Sequence, residues 1–379
     1  MSKKTTIIVL SAVAVVCLLI GVLIGSARSS PASTRSEEPS PTPTVSEEHT
    51  STPAAAEEPL LDVWRKHSGG FYYSLLDDGT AQITGVDKDE RDYLVIPSTI
   101  DGYTVTHVYW FFTSDDLDPE GNFDPIEIKT IKIPNSVTSI NEYWLDYVGT
   151  TDFIVPFDHP VFCDIYGVLY NKPEKRLVRY PVGRTASTFE IPQGVEQIAA
   201  YAFVNSDTLT SVTIPESVTT IGEGAFANCG SLTEVTISES VTTIGEDAFA
   251  NCGSLTEVTI PESVTTIGEG AFADCDGLTE VTIPQSVTLI GDYAFYGCKN
   301  LKKVVILGSE TDTREDIFTD LTVIAEGAFS ECSSLEDVTI PPSVTRIARD
   351  AFPSEQNITF HYTEGSYAEQ YLKQIGVIE

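Results

Sequence analysis

Apolar and polar residues alternate in short runs that recur every 23 residues between Leu209 and Cys298. In one such run Leu232, Val235 and Ile237 are apolar and the residues between them are mostly polar, which is typical of a short strand with one buried face. A Pro or Ser ends each strand, two apolar residues follow three positions apart, and a Gly marks a turn. The pattern predicts mainly β structure with short turns and 3-10 segments.

Phenylalanine and cysteine recur at the same interval, with one longer step after residue 301. One block cannot bury its own apolar face, but stacked blocks can, so the period predicts a repeat solenoid. The predicted core ladder consists of Phe203, Phe226, Phe249, Phe272, Phe295, Phe329 and Phe352 with Cys229, Cys252, Cys275, Cys298 and Cys332. A column of small buried thiols explains this cysteine spacing. Disulfides between neighbouring coils stay open as an alternative interpretation.

The repeated string I-P-x-S-V-x-x-I-G-x-x-A-F-x-x-C resembles the leucine-rich repeat of the BspA-like (Treponema pallidum) type, found on bacterial and protist surface proteins. The resemblance covers most of Phe71 to Glu379. It implies a curved array with parallel strands on one face, and a role in binding or adhesion to host or neighbouring-cell proteins.

The N-terminal part of the chain predicts a membrane attachment and a spacer. Ile7 to Ile24 carries no charge and is long enough to cross the hydrocarbon core as a helix. We expect a cytoplasmic N-terminus at 1–6, a transmembrane anchor or signal at 7–25, and a disordered Pro/Ser/Thr/Glu-rich stalk at 26–59. Lys3 and Lys4 favour a single-pass orientation in the cell membrane with the repeats outside.

The remaining chain is divided into a solenoid and its two caps. Asp77-Asp78-Gly79 predicts a hairpin in an N-terminal cap at 60–90, and the capping box at Ser366 predicts a helix in a C-terminal strand-helix cap at 353–379. The leucine-rich repeat array at 91–352 carries a hairpin insert at 153–180 and a loop insert at 307–320.

The net charge and the absence of known motifs in the sequence restrict the classes of partner and of catalytic site. The chain has 22 basic and 56 acidic residues, a net charge of -34, which disfavours nucleic acid and favours cationic or neutral partners. Its histidines are scattered, and no phosphate-binding, nucleophile or zinc motif occurs. We therefore expect no catalytic residues, no metal and no cofactor.

The exposed positions of the repeated strands predict the binding residues. Stacked copies should form columns of hydroxyls and carboxylates, which Lys302 and Lys303 interrupt at one end. The predicted binding residues are Glu234, Glu257, Glu280, Thr236, Thr259, Thr282, Lys302 and Lys303. The same columns also suit a solvated strand surface that binds nothing.

These features predict a protein that binds an extracellular protein or glycan without turnover. Two alternatives stay open: a structural surface-assembly protein without a specific ligand, and an enzyme with its site in the irregular region 153–180. The oligomeric state is left open.

Overall fold

The computed structural model describes residues 66–87, 92–109, 128–142, 145, 148–308, 322–354 and 357–379. These residues form a mainly β solenoid of about ten turns. The segments predicted at 1–6, 7–25 and 26–59 lie outside the described residues, as does most of the insert at 307–320. Within the described ranges, no helix combines the length and the apolar character needed to cross a bilayer.

The strands are short, because each makes one pass along a coil before the chain turns. The first are β1 (Lys66–Ser68), β2 (Phe71–Leu75), β3 (Ala81–Val86), β4 (Tyr93–Val95), β5 (Thr99–Ile100), β6 (Tyr103–Val108), β7 (Thr130–Lys132), β8 (Ser139–Ile140), β9 (Asp152–Ile154), β10 (Phe162–Ile165), β11 (Val168–Asn171) and β12 (Arg176–Arg179). They are followed by β13 (Thr188–Glu190), β14 (Gln197–Ile198), β15 (Ser211–Thr213), β16 (Thr220–Ile221), β17 (Glu234–Thr236), β18 (Thr243–Ile244), β19 (Glu257–Val258), β20 (Thr266–Ile267), β21 (Glu280–Ile283), β22 (Leu289–Ile290), β23 (Lys303–Ile306), β24 (Thr322–Ile324), β25 (Asp337–Thr339), β26 (Val344–Ile347) and β27 (Thr359–His361). The helix α1 (Tyr367–Gln374) ends the chain.

Each regular coil contributes a front strand and a back strand. The front strands form three parallel groups, β4-β7-β9, β13-β15-β17-β19 and β21-β23-β25-β27. The back strands form one ten-stranded sheet that begins with β10 and β11 and ends with β26. Val235 pairs in register with Val212 and Val258, so the same position of every coil points into the core.

The phenylalanines form a continuous stack inside the solenoid. Phe249 is fully buried, and its ring lies parallel to those of Phe226 and Phe272 at centroid distances of 5.0 and 5.2 Å. Phe295 and Phe329 are also stacked, at 5.2 Å, although the chain between them is longer than one period. The longer step in the sequence therefore does not shift the stack of rings in the core.

The cysteines form a second buried column beside the phenylalanines. The six cysteines in the described part of the chain are buried free thiols, and those of the repeats donate to phenylalanine carbonyls of the preceding coil. The Cys252 thiol, for example, lies 3.2 Å from the carbonyl oxygen of Phe226. Burial raises the pKa of Cys229 and of Cys275 to about 12, so both thiols are protonated and unreactive while the chain is folded.

A small sheet covers the N-terminal end of the core. β2 and β3 form the antiparallel hairpin expected at Asp77-Asp78-Gly79, and β3 continues into a parallel pairing with β6. β1 adds an antiparallel strand to the outer edge of β2. Tyr73 is buried in this sheet and donates from its hydroxyl to Asp101, at 2.7 Å.

The insert predicted as one hairpin at 153–180 has a further strand. β10, β11 and β12 form an antiparallel meander, and β12 then pairs in parallel with β14. β10 is buried at Phe162, Cys163 and Ile165, so it lacks the alternation that marks a half-exposed strand. Tyr166 and Gly167 join β10 to β11 in a two-residue turn with φ of 53° and 76°.

A strand and a helix close the C-terminal end, as expected. β27 pairs with β25, and α1 buries Ala368, Tyr371 and Leu372. The Ser366 side chain accepts from the backbone N–H of Glu369, whose carboxylate accepts from Gly365 at 2.6 Å. The backbone partner of the glutamate is therefore one residue earlier than in the standard capping box.

Candidate functional site

The front face consists of the outward sides of the front strands. Every predicted binding residue lies on it and is exposed: Glu234, Glu257, Glu280, Thr236, Thr259, Thr282, Lys302 and Lys303. Strand register pairs Glu234 with Glu257, and Glu280 with Lys303, so the columns expected from the spacing exist. Whether these residues bind a partner stays a prediction.

The two threonine columns that flank the carboxylates differ in their bonding. In the first column, the hydroxyl of Thr233 donates to the carbonyl of Thr210 at 3.0 Å, and equivalent bonds join other coils. In the second column, the hydroxyls of Thr236, Thr259 and Thr282 make no hydrogen bond within the described chain. The first column therefore ties coils together, whereas the second is free to bind.

The front ladder is interrupted between β19 and β21, where a groove opens. Its volume is about 490 Å³. Glu262 and Leu307 contribute to the lining of the groove, and so do four of the predicted binding residues: Glu257, Thr259, Glu280 and Thr282. Sequence spacing cannot show this interruption, because the repeat is regular on both sides of it.

The basic residues at the end of the columns are largely neutralised. The ammonium group of Lys303 lies 2.7 Å from Glu280, and that of Lys299 lies 3.2 Å from Asp276. The hydrogen bond that Lys303 donates to Glu280 raises the pKa of Lys303, so this side chain stays charged at neutral pH. Lys302 is exposed and has no ion-pair partner within the described ranges, which leaves it as the available cation.

An apolar patch on the first coils was not expected from the sequence. It consists of exposed residues on β4, on β9 and in the turns that follow: Tyr93, Val95, Ile154, Phe157 and Tyr166. Phe157 is the most exposed, at 78%. Aligning these irregular coils with the regular ones would have shown it, because Val95 and Ile154 occupy the position of Thr236.

Buried polar residues around the 153–180 insert are engaged in structural bonds. Lys172 donates to the carbonyl of His159, and Arg179 donates to those of Tyr201 and Leu145. A cavity of about 360 Å³ lies nearby, with Glu142 in its wall.

The Glu142 carboxylate is held in a two-bond ion pair with Arg176, at 2.7 and 2.9 Å. These structural interactions account for the buried charged side chains, so no catalytic role is needed to explain their presence.

Comparison with known proteins agrees with this architecture. A family model for the BspA type leucine rich repeat region matches residues 184–302 and 314–369, in six copies. No curated protein matches the chain. A leucine-rich repeat protein from Eubacterium ventriosum is 24% identical, with a TM-score of 0.56 over 79% of this chain and 96% of that chain, which supports the fold alone.

Two further solved structures superpose less closely on this chain. A leucine rich cell surface protein from Faecalibacterium prausnitzii is 22% identical, with a TM-score of 0.40 over 67% of this chain and 97% of that chain. A leucine-rich repeat protein from T. pallidum is 24% identical, with a TM-score of 0.32 over 71% of this chain and 90% of that chain. Repeat proteins of this class act in general as scaffolds for protein interaction, and the matching family is not a catalytic one.

Proposed function

Because residues 184–302 and 314–369 are leucine-rich repeats of the BspA type, we propose that this chain is a cell-surface protein that binds an extracellular protein or glycan through its front face. The observation that carries the proposal is the groove between β19 and β21, where Glu257 and Glu280 line a space of about 490 Å³. Glu257, which has no ion-pair partner in the described ranges, and the unbonded hydroxyls beside it suit a partner that brings a cation and hydrogen-bond donors, while Glu280 is shared with Lys303.

The proposal includes a position at the membrane. Residues 7–25 anchor the chain, residues 26–59 hold the solenoid away from the bilayer, and the repeats face outward. The uncharged run from Ile7 to Ile24 and the basic residues before it support this arrangement. Protease added to intact cells should remove the repeats while a cytoplasmic control protein survives. Full-length chain persisting under the same treatment would contradict the orientation.

The binding proposal is tested with the full chain in detergent micelles on arrays of extracellular proteins and glycans. The double variant Glu257→Lys with Glu280→Lys reverses the charge of the groove, so it should lose the contacts of the wild type. Glu246→Lys with Glu269→Lys is a matched control, since these exposed carboxylates follow the back strands of consecutive coils. Equal binding by both double variants would reject the groove as the binding site.

A further inference from the structure

The front face changes character along the solenoid. In the column of Thr236 and Thr259, the first three coils carry Val95, Lys132 and Ile154. Strand register places Lys132 directly between the two apolar residues. The regular coils show that this fold accepts threonine here, so folding alone does not explain apolar residues at 57% and 44% exposure.

The turns beside these strands extend the apolar surface. Phe157 follows Pro156 at a position where other coils carry Asn135, Gln193 or Glu216. Tyr166 lies in a turn at φ 53°, a conformation that favours Asn or Gly over a bulky residue. The same turn abuts β9, because the N–H of Phe153 donates to the carbonyl of Gly167 at 2.9 Å.

Charge at the apolar patch also differs from the rest of the molecule. Lys132 is exposed and has no ion-pair partner in the part of the chain that the structure describes. Nearby Lys129 is paired with Asp92 at 2.7 Å, and Arg184 lies 3.8 Å from Asp152. In a chain with a net charge of -34, this leaves one free cation at the centre of an apolar surface.

We propose that the apolar patch binds a peptide segment of a partner protein, with apolar side chains packed on Val95 and Ile154 and a carboxylate paired with Lys132. This inference rests on the proposed function and names the partner's chemistry. At the centre of the patch a glycan fits less well than a peptide, because Val95 and Ile154 beside Lys132 offer neither a ring face nor a hydrogen bond. The patch spans three strands about 4.8 Å apart, a width that a few extended residues cover.

The probe is a library of phage-displayed linear peptides, selected on the full chain in detergent micelles. Enriched peptides should combine aromatic or aliphatic residues with Asp or Glu. The triple variant Val95→Thr, Ile154→Thr and Phe157→Gln installs residue types that other coils carry at these positions, which guards against misfolding. It should weaken binding of the enriched peptides at least tenfold, and so should Lys132→Glu alone.

Exchanging the charges distinguishes a specific ion pair with Lys132 from nonspecific hydrophobic binding. Peptides in which the acidic residue is changed to Lys should bind Lys132→Glu better than they bind the wild type. No enrichment, or enriched peptides that bind the triple variant as the wild type does, would overturn the proposal. So would self-association in light scattering that the triple variant abolishes, since the occupant would then be a second copy of this chain.

The two proposals fail separately. If Glu257→Lys with Glu280→Lys abolishes array binding while the triple variant has no effect on peptides or arrays, the patch is rejected and the groove stands. If the triple variant abolishes peptide binding while the groove variant leaves all array binding unchanged, the groove is rejected and the patch stands.

Discussion

His159 shows how a single buried residue joins the irregular coils. Its Nδ1 accepts from the backbone N–H groups of Val161 and Phe162, at 3.1 and 3.0 Å. Its Nε2 lies 3.1 Å from the carbonyl oxygen of Pro134, which assigns the proton to Nε2. Burial lowers the pKa of His159 to about 4, so the ring is neutral in the folded chain.

This histidine makes stability depend on pH. Because its folded pKa of about 4 lies below the ordinary value of 6.5, the unfolded chain binds more protons between these limits. The free energy of unfolding should therefore decrease by roughly 3 kcal/mol as pH falls across that window. His159→Asn keeps an acceptor and removes the titration, so its denaturation midpoints should depend less on pH than those of the wild type. Identical slopes would contradict the assignment.

At the scale of the element, the phenylalanine stack connects the coils. Each ring contacts the coil before and the coil after it, and Phe249 has no exposed surface. Exposed aromatic residues such as Phe157 make no comparable contact. The contribution of a phenylalanine to stability should therefore depend on whether its ring lies in the buried stack.

Truncating the stack tests this expectation. Phe249→Ala should lower the free energy of unfolding by about 3–5 kcal/mol, because it removes buried apolar surface and leaves a cavity. The matched control Phe157→Ala should change it by less than about 0.5 kcal/mol, since that ring is exposed. Urea denaturation followed by circular dichroism measures both. Similar losses of unfolding free energy in the two variants would contradict the conclusion that the phenylalanine stack stabilises the core.

At one position in the turns that follow the back strands, a larger side chain in one coil alternates with glycine in the next. Gly224 has φ +53°, and a Cβ there would lie 2.4 Å from a ring carbon of Tyr201 in the preceding coil. Gly327 stands in the same relation to Tyr293, and Gly270 to Asp247. A large residue in one coil is therefore accommodated by glycine in the next.

Substitution at one of these glycines should be costly. Gly224→Ala should lower the free energy of unfolding by at least about 1–2 kcal/mol, from the left-handed backbone and the clash with Tyr201. Gly253→Ala is the control, because nothing lies within 4 Å of its Cβ position and its φ is not positive. If both variants unfold at the same urea concentration, that result would show that the turn at Gly224 is not as closely packed against Tyr201 as described.

The regular elements were predictable because 23-residue spacing identifies inward positions regardless of context. The strand β10 was missed because its residues are buried on both faces. The apolar patch was missed because the regular coils carry threonine at its strand positions, although Ile96-Pro97 aligns Val95 with Thr259, which precedes Ile260-Pro261. The groove depends on strand separation, which side-chain periodicity does not encode.

On the scale of the whole molecule, like charges repeat at the same spacing as the core. Loss of hydration beside neighbouring protein groups and the carboxylates of Glu223 and Glu269 in adjacent coils raise the pKa of Glu246. Strand register pairs Glu234 with Glu257 on the front face. Stacking that aligns the phenylalanines also aligns the acidic residues, so electrostatic repulsion opposes the solenoid.

Salt should therefore stabilise the folded chain. Raising ionic strength from about 0.01 M to about 1 M shortens the Debye length from about 30 Å to about 3 Å and screens these columns. The Tm should increase with NaCl, and it should increase less for Glu246→Gln, which lacks the central charge of its column. A Tm that falls with NaCl would show that attractive ion pairs outweigh the repulsion.

The interruption of the front ladder has a mechanical consequence. The coils on its two sides stay joined at the back, where Thr266 pairs with Leu289, and within the core, where the rings of Phe272 and Phe295 are 5.1 Å apart. At the front, β19 and β21 share no ladder that must break when they separate. The solenoid therefore bends more easily at this joint than between coils whose front strands share a ladder, such as β17 and β19, and bending here changes the distance between Glu257 and Glu280.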